Sequence, residues 1–315
     1  MKSLTRTLLI VAGALIGTGF VLAIVGFAIG GFSWNAFNTA GPYEEKSQTF
    51  NAAEVSAITV DAKGCDVVLV GSDADEIKID YAENKNGTWN IAKSADGKLS
   101  AKYQASRGWF NFSFGISTGE RAITISVPAK YAGAIEASVA SGDVDVSKLQ
   151  LAKELSLSAA SGSLALTDVS ANGKIVADAK SGDIEAKNIS ANSDLDLTAN
   201  SGSVTLNAGR IAGNLTMLTT SGDLKVTQTN AGGKISLAAE SGEVSFKALA
   251  GHDIDLAAGS GDVRGSIAGK ATDFTITANA NSDDQNIVNS AGGDKHLNAA
   301  TNSGDIEIEF DASGQ

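Results

Sequence analysis

Ala179-Lys180-Ser181-Gly182-Asp183-Ile184-Glu185-Ala186 decides how this chain folds, because the same phrase returns about every twenty residues. Its Ser-Gly pair recurs as Ser141-Gly142-Asp143, Ser161-Gly162-Ser163, Ser201-Gly202-Ser203, Ser221-Gly222-Asp223 and Ser241-Gly242-Glu243. One residue is then dropped before Ser260-Gly261-Asp262; a worn copy stands at Ser282-Asp283 and a last one at Ser303-Gly304-Asp305. A short fixed period is the mark of a solenoid, whose units bury apolar faces only against their neighbours. Around Ser181, apolar or small residues stand at Ile175, Ala177 and Ala179 before the corner and at Ile184 and Ala186 after it. Alternation at period two on both sides of a glycine means strand, tight turn, strand.

The glycines Gly142, Gly162, Gly182, Gly202, Gly222, Gly242, Gly261 and Gly304 are therefore expected at structural corners, where a positive φ excludes most side chains. Parity places the repeat Ser inward, with its hydroxyl on backbone groups freed by the turn. Asn172-Gly173, Gly213-Asn214 and Gly232-Gly233 mark a second corner halfway round. Each repeat reads as one coil of a right-handed parallel β-helix, all-β, with like positions stacked at about 4.8 Å. Nine such coils extend roughly 40 Å at that spacing. The residue after Gly, mostly Asp alternating with Ser, reads as a solvated turn residue, spaced so that stacked carboxylates do not meet.

Ahead of the array, Leu8 to Phe32 is 25 residues without a charge, enough for one transmembrane helix. Lys2 and Arg6 precede it and no cation follows before Lys46, which puts the N-terminus in the cytoplasm and the β-helix outside. A cleaved signal peptide is the rival reading, disfavoured by the length of the apolar run. Gly13 and Gly17, or Gly26 and Gly30, have the spacing that permits a homodimer through close helix packing. The organisation is then residues 1–7 cytoplasmic, 8–32 anchor, 33–50 linker, 51–132 first coils and N-terminal cap, and 133–315 regular repeats. Ala57-Ile58-Thr59-Val60 through Gly64-Cys65-Asp66-Val67 supplies the first coil, with Ile77, Ile79 and Tyr81 continuing the stack. Register is lost over 83–121, a segment rich in aromatic residues. It reads as a cap, or, at Arg107, Trp109, Phe110, Phe112 and Phe114, as a candidate contact loop.

Composition excludes several functions. The net charge is −12, and residues 133–315 account for the excess, with 24 acidic and 12 basic side chains against 12 and 12 before them. Nucleic acid requires the opposite sign. His252 and His296 fall in different coils outside any metal-ligand spacing, and Cys65 is the single cysteine, so neither zinc nor a disulfide is expected. Gly265 to Lys270 is one residue short of a phosphate loop, with Ala271 where a hydroxyl is required. Asp194 with Asp196, and Asp253 with Asp255, have spacing that a glycosidase pair could use, but uniform coil lengths leave no room for a cleft. No catalytic residue, metal or cofactor is assigned.

These segments, with Ile123-Thr124-Ile125-Ser126-Val127-Pro128 and the Ser-Gly-Asp array, resemble the DUF4097 family of bacterial β-strand-repeat proteins, which carries an adhesin label. The resemblance spans roughly residues 50–310. It implies a right-handed, pectate-lyase-like β-helix, often beside a membrane span and without a general enzyme activity. Gly64-Cys65 departs from the Ser-Gly corner. Three functions stay open: a membrane-anchored surface binding or scaffold protein touching an envelope polymer, peptide or membrane protein; an envelope-stress sensor binding peptides or wall fragments; and a polysaccharide-cleaving enzyme.

Overall fold

Twenty-residue periodicity becomes parallel strand pairing in the computed structural model, which describes residues 42–105, 122–281 and 284–311. Strand Ile175–Ser181 lies between Leu155–Ser161 and Leu195–Ser201, with Ile175 opposite both Leu155 and Leu195. Beyond Gly182, strand Ile184–Ala191 lies between Leu164–Ala171 and Val204–Ile211. Repetition of this pairing builds two sheets, a twelve-stranded one that holds the strands leading into the Ser-Gly corners and a thirteen-stranded one that holds those leaving them, each with further strands at its ends. At about 4.8 Å per strand the stack is roughly 55 Å tall. Segments at both ends add strands beyond the repeats counted from sequence.

Inward positions explain the winding. Ile175, Ala177 and Ala179 are buried before the corner, and Ile184 and Ala186 after it. Alternation then slips by one residue, so that Ile189 and Ala191 are the next buried pair. The slip is a third corner in the left-handed region, at Lys148, Asp168, Asn188, Ala208, Gln228 and Ala248, with φ between 48° and 60°. The turn at Asn172-Gly173 and its equivalents then returns the chain to the first sheet. The repeat Ser is exposed in every coil, contrary to the parity argument. Gly182, at φ 147°, redirects the chain at this point and interrupts the alternation that would have turned Ser181 inward. The first coil solves its corner differently: Lys63 takes φ 43° and the buried Cys65 occupies the position equivalent to glycine.

Stacking order departs from chain order at both ends. Strand Ala57–Asp61 pairs with Ala134–Ser141 on one side and Lys98–Ala105 on the other, while Asp66–Ser72 lies between Val144–Ser147 and Ala122–Pro128. The coil at 57–72 is thus tucked inside, with strands Lys98–Ala105 and Ala122–Pro128 below it. Ile77, Ile79 and Tyr81 do not continue the helical stack. Their strand, Glu76–Glu83, runs antiparallel between Ala122–Pro128 and Glu44–Asn51, and the latter closes the sheet. A hairpin of Gly87–Lys93 with Lys98–Ala105 closes the other sheet, where buried Trp89 meets Tyr103 edge-on at 5.3 Å.

The C-terminal end repeats the device. Strand Lys295–Ser303 inserts between Asp253–Ser260 and Phe274–Ala280, and Ile306–Asp311 pairs with Val263–Ala268. Residues 285–290 cross the end: Ser290 bridges Ile276, Asn289 Oδ1 accepts from the Ala278 N–H at 2.5 Å, and Ile287 is buried. The worn repeat at Ser282-Asp283 and the span at 8–32 lie outside the described residues. Among those described, no helix is long and apolar enough to cross a membrane.

Candidate functional site

The exterior of the rod is a set of ladders. At the Ser-Gly corner, Asp143 Oδ1 accepts from the Ser163 N–H and Asp183 Oδ1 from the Ser203 N–H, both at 2.8 Å. Asp66, Asp223 and Asp262 act the same way on Asp143, Glu243 and Asp305. Each carboxylate thus staples the next coil, where sequence suggested only a solvated turn residue. The other corners follow suit: Asn188 Nδ2 donates to Asp168 at 2.8 Å, Asn192 Nδ2 to Asn172 at 2.7 Å, and Asn214 N to Asp194 at 2.8 Å. Hydrogen bonds to charged acceptors are the stronger kind, and stacking repeats them along the axis. Where one sign accumulates, the opposite effect shows. Burial, then Asp143 and Asp66, raise the pKa of Asp145 above the ordinary carboxylate value.

Corner glycines have a further constraint. A Cβ on Gly162 would lie 1.9 Å from the Gly142 carbonyl oxygen, and one on Gly202 would lie 2.1 Å from that of Gly182. Gly142, Gly222, Gly242, Gly261 and Gly304 share the geometry, with φ between 145° and 156° and a blocking carbonyl on the neighbouring coil.

Three of the four acids singled out from sequence, Asp194, Asp196 and Asp255, are engaged in cross-coil contacts. Asp196 pairs with Lys174, and Asp255 with Lys234 while accepting from Asn298 Nδ2 at 2.8 Å. Burial works against ionisation of Asp255, but Lys234 and Asn298 outweigh it and hold its pKa low. Two cavities of about 590 Å³ open on the surface. One lies among Tyr43, Lys46, Asp80, Tyr81 and Thr124, the other among Phe246, Arg264, Asn286 and Glu307. Arg264 is consumed by Asp262 at 2.8 Å and Glu307 at 3.2 Å. Neither cavity joins a carboxylate pair to a nucleophile and a base in the pattern that catalysis uses.

His252 and His296, distant in sequence, are neighbours, with ring centroids 6.4 Å apart. Sequence reasoning separated them because it stacked coils in chain order. Among the described residues, no group of three His, Cys, Asp or Glu side chains could hold a metal ion. The contact loop at Arg107, Trp109, Phe110, Phe112 and Phe114 lies outside the described residues.

Residues 55–309 match the family model described as Toastrack DUF4097. Similar solved structures include a candidate adhesin from Bacteroides fragilis, 14% identical over 84% of this chain and 97% of that one, at TM-score 0.40. A candidate adhesin from Parabacteroides distasonis is 16% identical over 84% and 97%, at TM-score 0.37. One from Parabacteroides merdae is 15% identical over 85% and 97%, at TM-score 0.36. The sequence matches none of the curated proteins compared with it.

Proposed function

The chain belongs to the Toastrack DUF4097 family, and from that premise we propose a membrane-anchored, adhesin-like binding or scaffold protein of a bacterial envelope that acts through the outside of its rod. The carrying observation is the pair of unbroken twelve- and thirteen-stranded sheets, whose outward side chains repeat at each coil. Such a surface suits an extended partner, an envelope polymer or a peptide, that contacts many coils at once. The uncharged run from Leu8 to Phe32 serves in this reading as a single-pass anchor, with residues 1–7 cytoplasmic and the rod outside. Gly13 and Gly17, or Gly26 and Gly30, would bring two anchors together. The coils wind right-handed, the sense favoured for parallel strand connections. Catalysis forms no part of this reading. Asp194, Asp196 and Asp255 are held in cross-coil ion pairs and hydrogen bonds, and fold by itself assigns no chemistry.

The test is digestion of intact cells with an external protease. Loss of the rod, residues 50–315, with retention of a short membrane-bound fragment supports the reading. Complete protection on intact cells, with digestion only after lysis, sinks it.

A further inference from the structure

His252 and His296 meet because strand Lys295–Ser303 is threaded between two earlier strands. Strand Lys295–Ser303 pairs in register with Asp253–Ser260, and the His296 N–H donates to the His252 carbonyl at 2.8 Å. The backbone therefore fixes the two residues as neighbours on adjacent coils. Both side chains are exposed, and their rings stand 6.4 Å apart at an interplanar angle of 67°. Metal–nitrogen bonds of about 2.0–2.1 Å place the centroids of two cis imidazoles roughly 4.5–5.5 Å apart. Small rotations of two exposed rings close that difference.

The surroundings favour a cation. Asp253 is the register partner of His296, and Asp294 lies two residues before it. Lys234 flanks Asp253 on the side away from His296 but directs its ion pair to Asp255, and Lys295 sits 5.2 Å over the ring of Phe274. We propose that His252 and His296 form a two-imidazole site for a borderline divalent transition metal, Cu²⁺ first and Ni²⁺ or Zn²⁺ after it. The ion pins the threaded strand, Lys295–Ser303, to the strand Asp253–Ser260. Imidazole nitrogen selects these ions over Ca²⁺ and Mg²⁺, which require oxygen ligands. With no third ligand among the described residues close enough to complete a cage, water fills the remaining positions and the ion exchanges freely.

Binding to the folded chain alone raises stability with metal concentration. The full-length protein, stripped with chelator, is titrated with CuCl₂, NiCl₂, ZnCl₂ and CaCl₂ while thermal unfolding and bound metal are followed. The expected result is one transition-metal ion per chain, a Tm that climbs with its concentration and no response to Ca²⁺. His252→Asn and His296→Asn each weaken binding by about tenfold or more, since losing even a partner of a ligand costs about 10–100-fold. Circular dichroism confirms that both variants fold, as their exposure leads one to expect. Affinity within about twofold of the parent in either variant, no binding by the parent, or an equal response to Ca²⁺ overturns the proposal.

Discussion

A methyl group on Gly202 has nowhere to go. It would sit 2.1 Å from the Gly182 carbonyl oxygen, and φ there is 156°, which side chains resist. Backbone strain and overpacking each cost about 1–3 kcal/mol, so Gly202→Ala should lose on the order of 2–6 kcal/mol in denaturant titration. The corner carboxylate predicts a smaller, chemically graded effect. Asp183→Ala removes the acceptor from the Ser203 N–H and should cost about 1 kcal/mol, whereas Asp183→Asn keeps an oxygen in place and should cost less. Asp145 has the opposite sign. Its pKa is raised in the folded state by burial and by Asp143 and Asp66, so its ionisation at neutral pH weakens the fold. Asp145→Asn should stabilise at pH 7 by a few tenths of a kcal/mol after solvent screening. The gain should vanish as pH falls below the ordinary carboxylate range, where the parent side chain is also neutral. These glycines were legible in sequence because they recur in every regular repeat from Gly142 to Gly261 and again at Gly304. The stapling role of the Asp residues was not, since a turn carboxylate looks the same whether it faces water or the next coil.

A coil is the unit that carries stability, and each coil sees only its two neighbours. Removing residues 182–201, one full turn from corner to corner, should therefore leave a folded rod shorter by about 4.8 Å. Removing 182–191 should not, because half a turn puts strands of one sheet against those of the other. Far-ultraviolet circular dichroism and resistance to protease distinguish the two, and a folded half-turn deletion would contradict the coil as unit. Two of the three corners could be read from sequence, where glycine and asparagine cluster. The third could not be read from residue type: Lys148, Asp168, Asn188, Ala208, Gln228 and Ala248 share a left-handed φ but no common chemistry. Its signal was the slip in alternation, from Leu164 and Leu166 to Val169 and Ala171. The outward Ser was misjudged for the related reason that period two holds only while the chain stays extended.

Stacking order is what a repeat conceals, because coils built from the same ladder can dock on one another in more than one sequence. Here the coil at 57–72 and the strand Lys295–Ser303 lie inside the stack, while segments from elsewhere in the chain, Ile306–Asp311 among them, form its edges. Threading places Lys295–Ser303 between two partners although it lies near the end of the sequence. It also joins residues that sequence keeps apart, as with His252 and His296. The order can be read directly with engineered cysteines. Asp255 and Asn298 are register partners that face outward and share a hydrogen bond, at a separation within the 4.4–6.8 Å that a disulfide bridges. Asn298 is in turn the register partner of Thr277, which puts Asp255 and Thr277 two strands, about 9.6 Å, apart. Asp255→Cys with Asn298→Cys should therefore oxidise to an intramolecular cross-link that raises Tm. Asp255→Cys with Thr277→Cys should stay reduced under the same conditions. Coils docked in chain order would reverse the two outcomes, since Phe274–Ala280 would then lie directly against Asp253–Ser260.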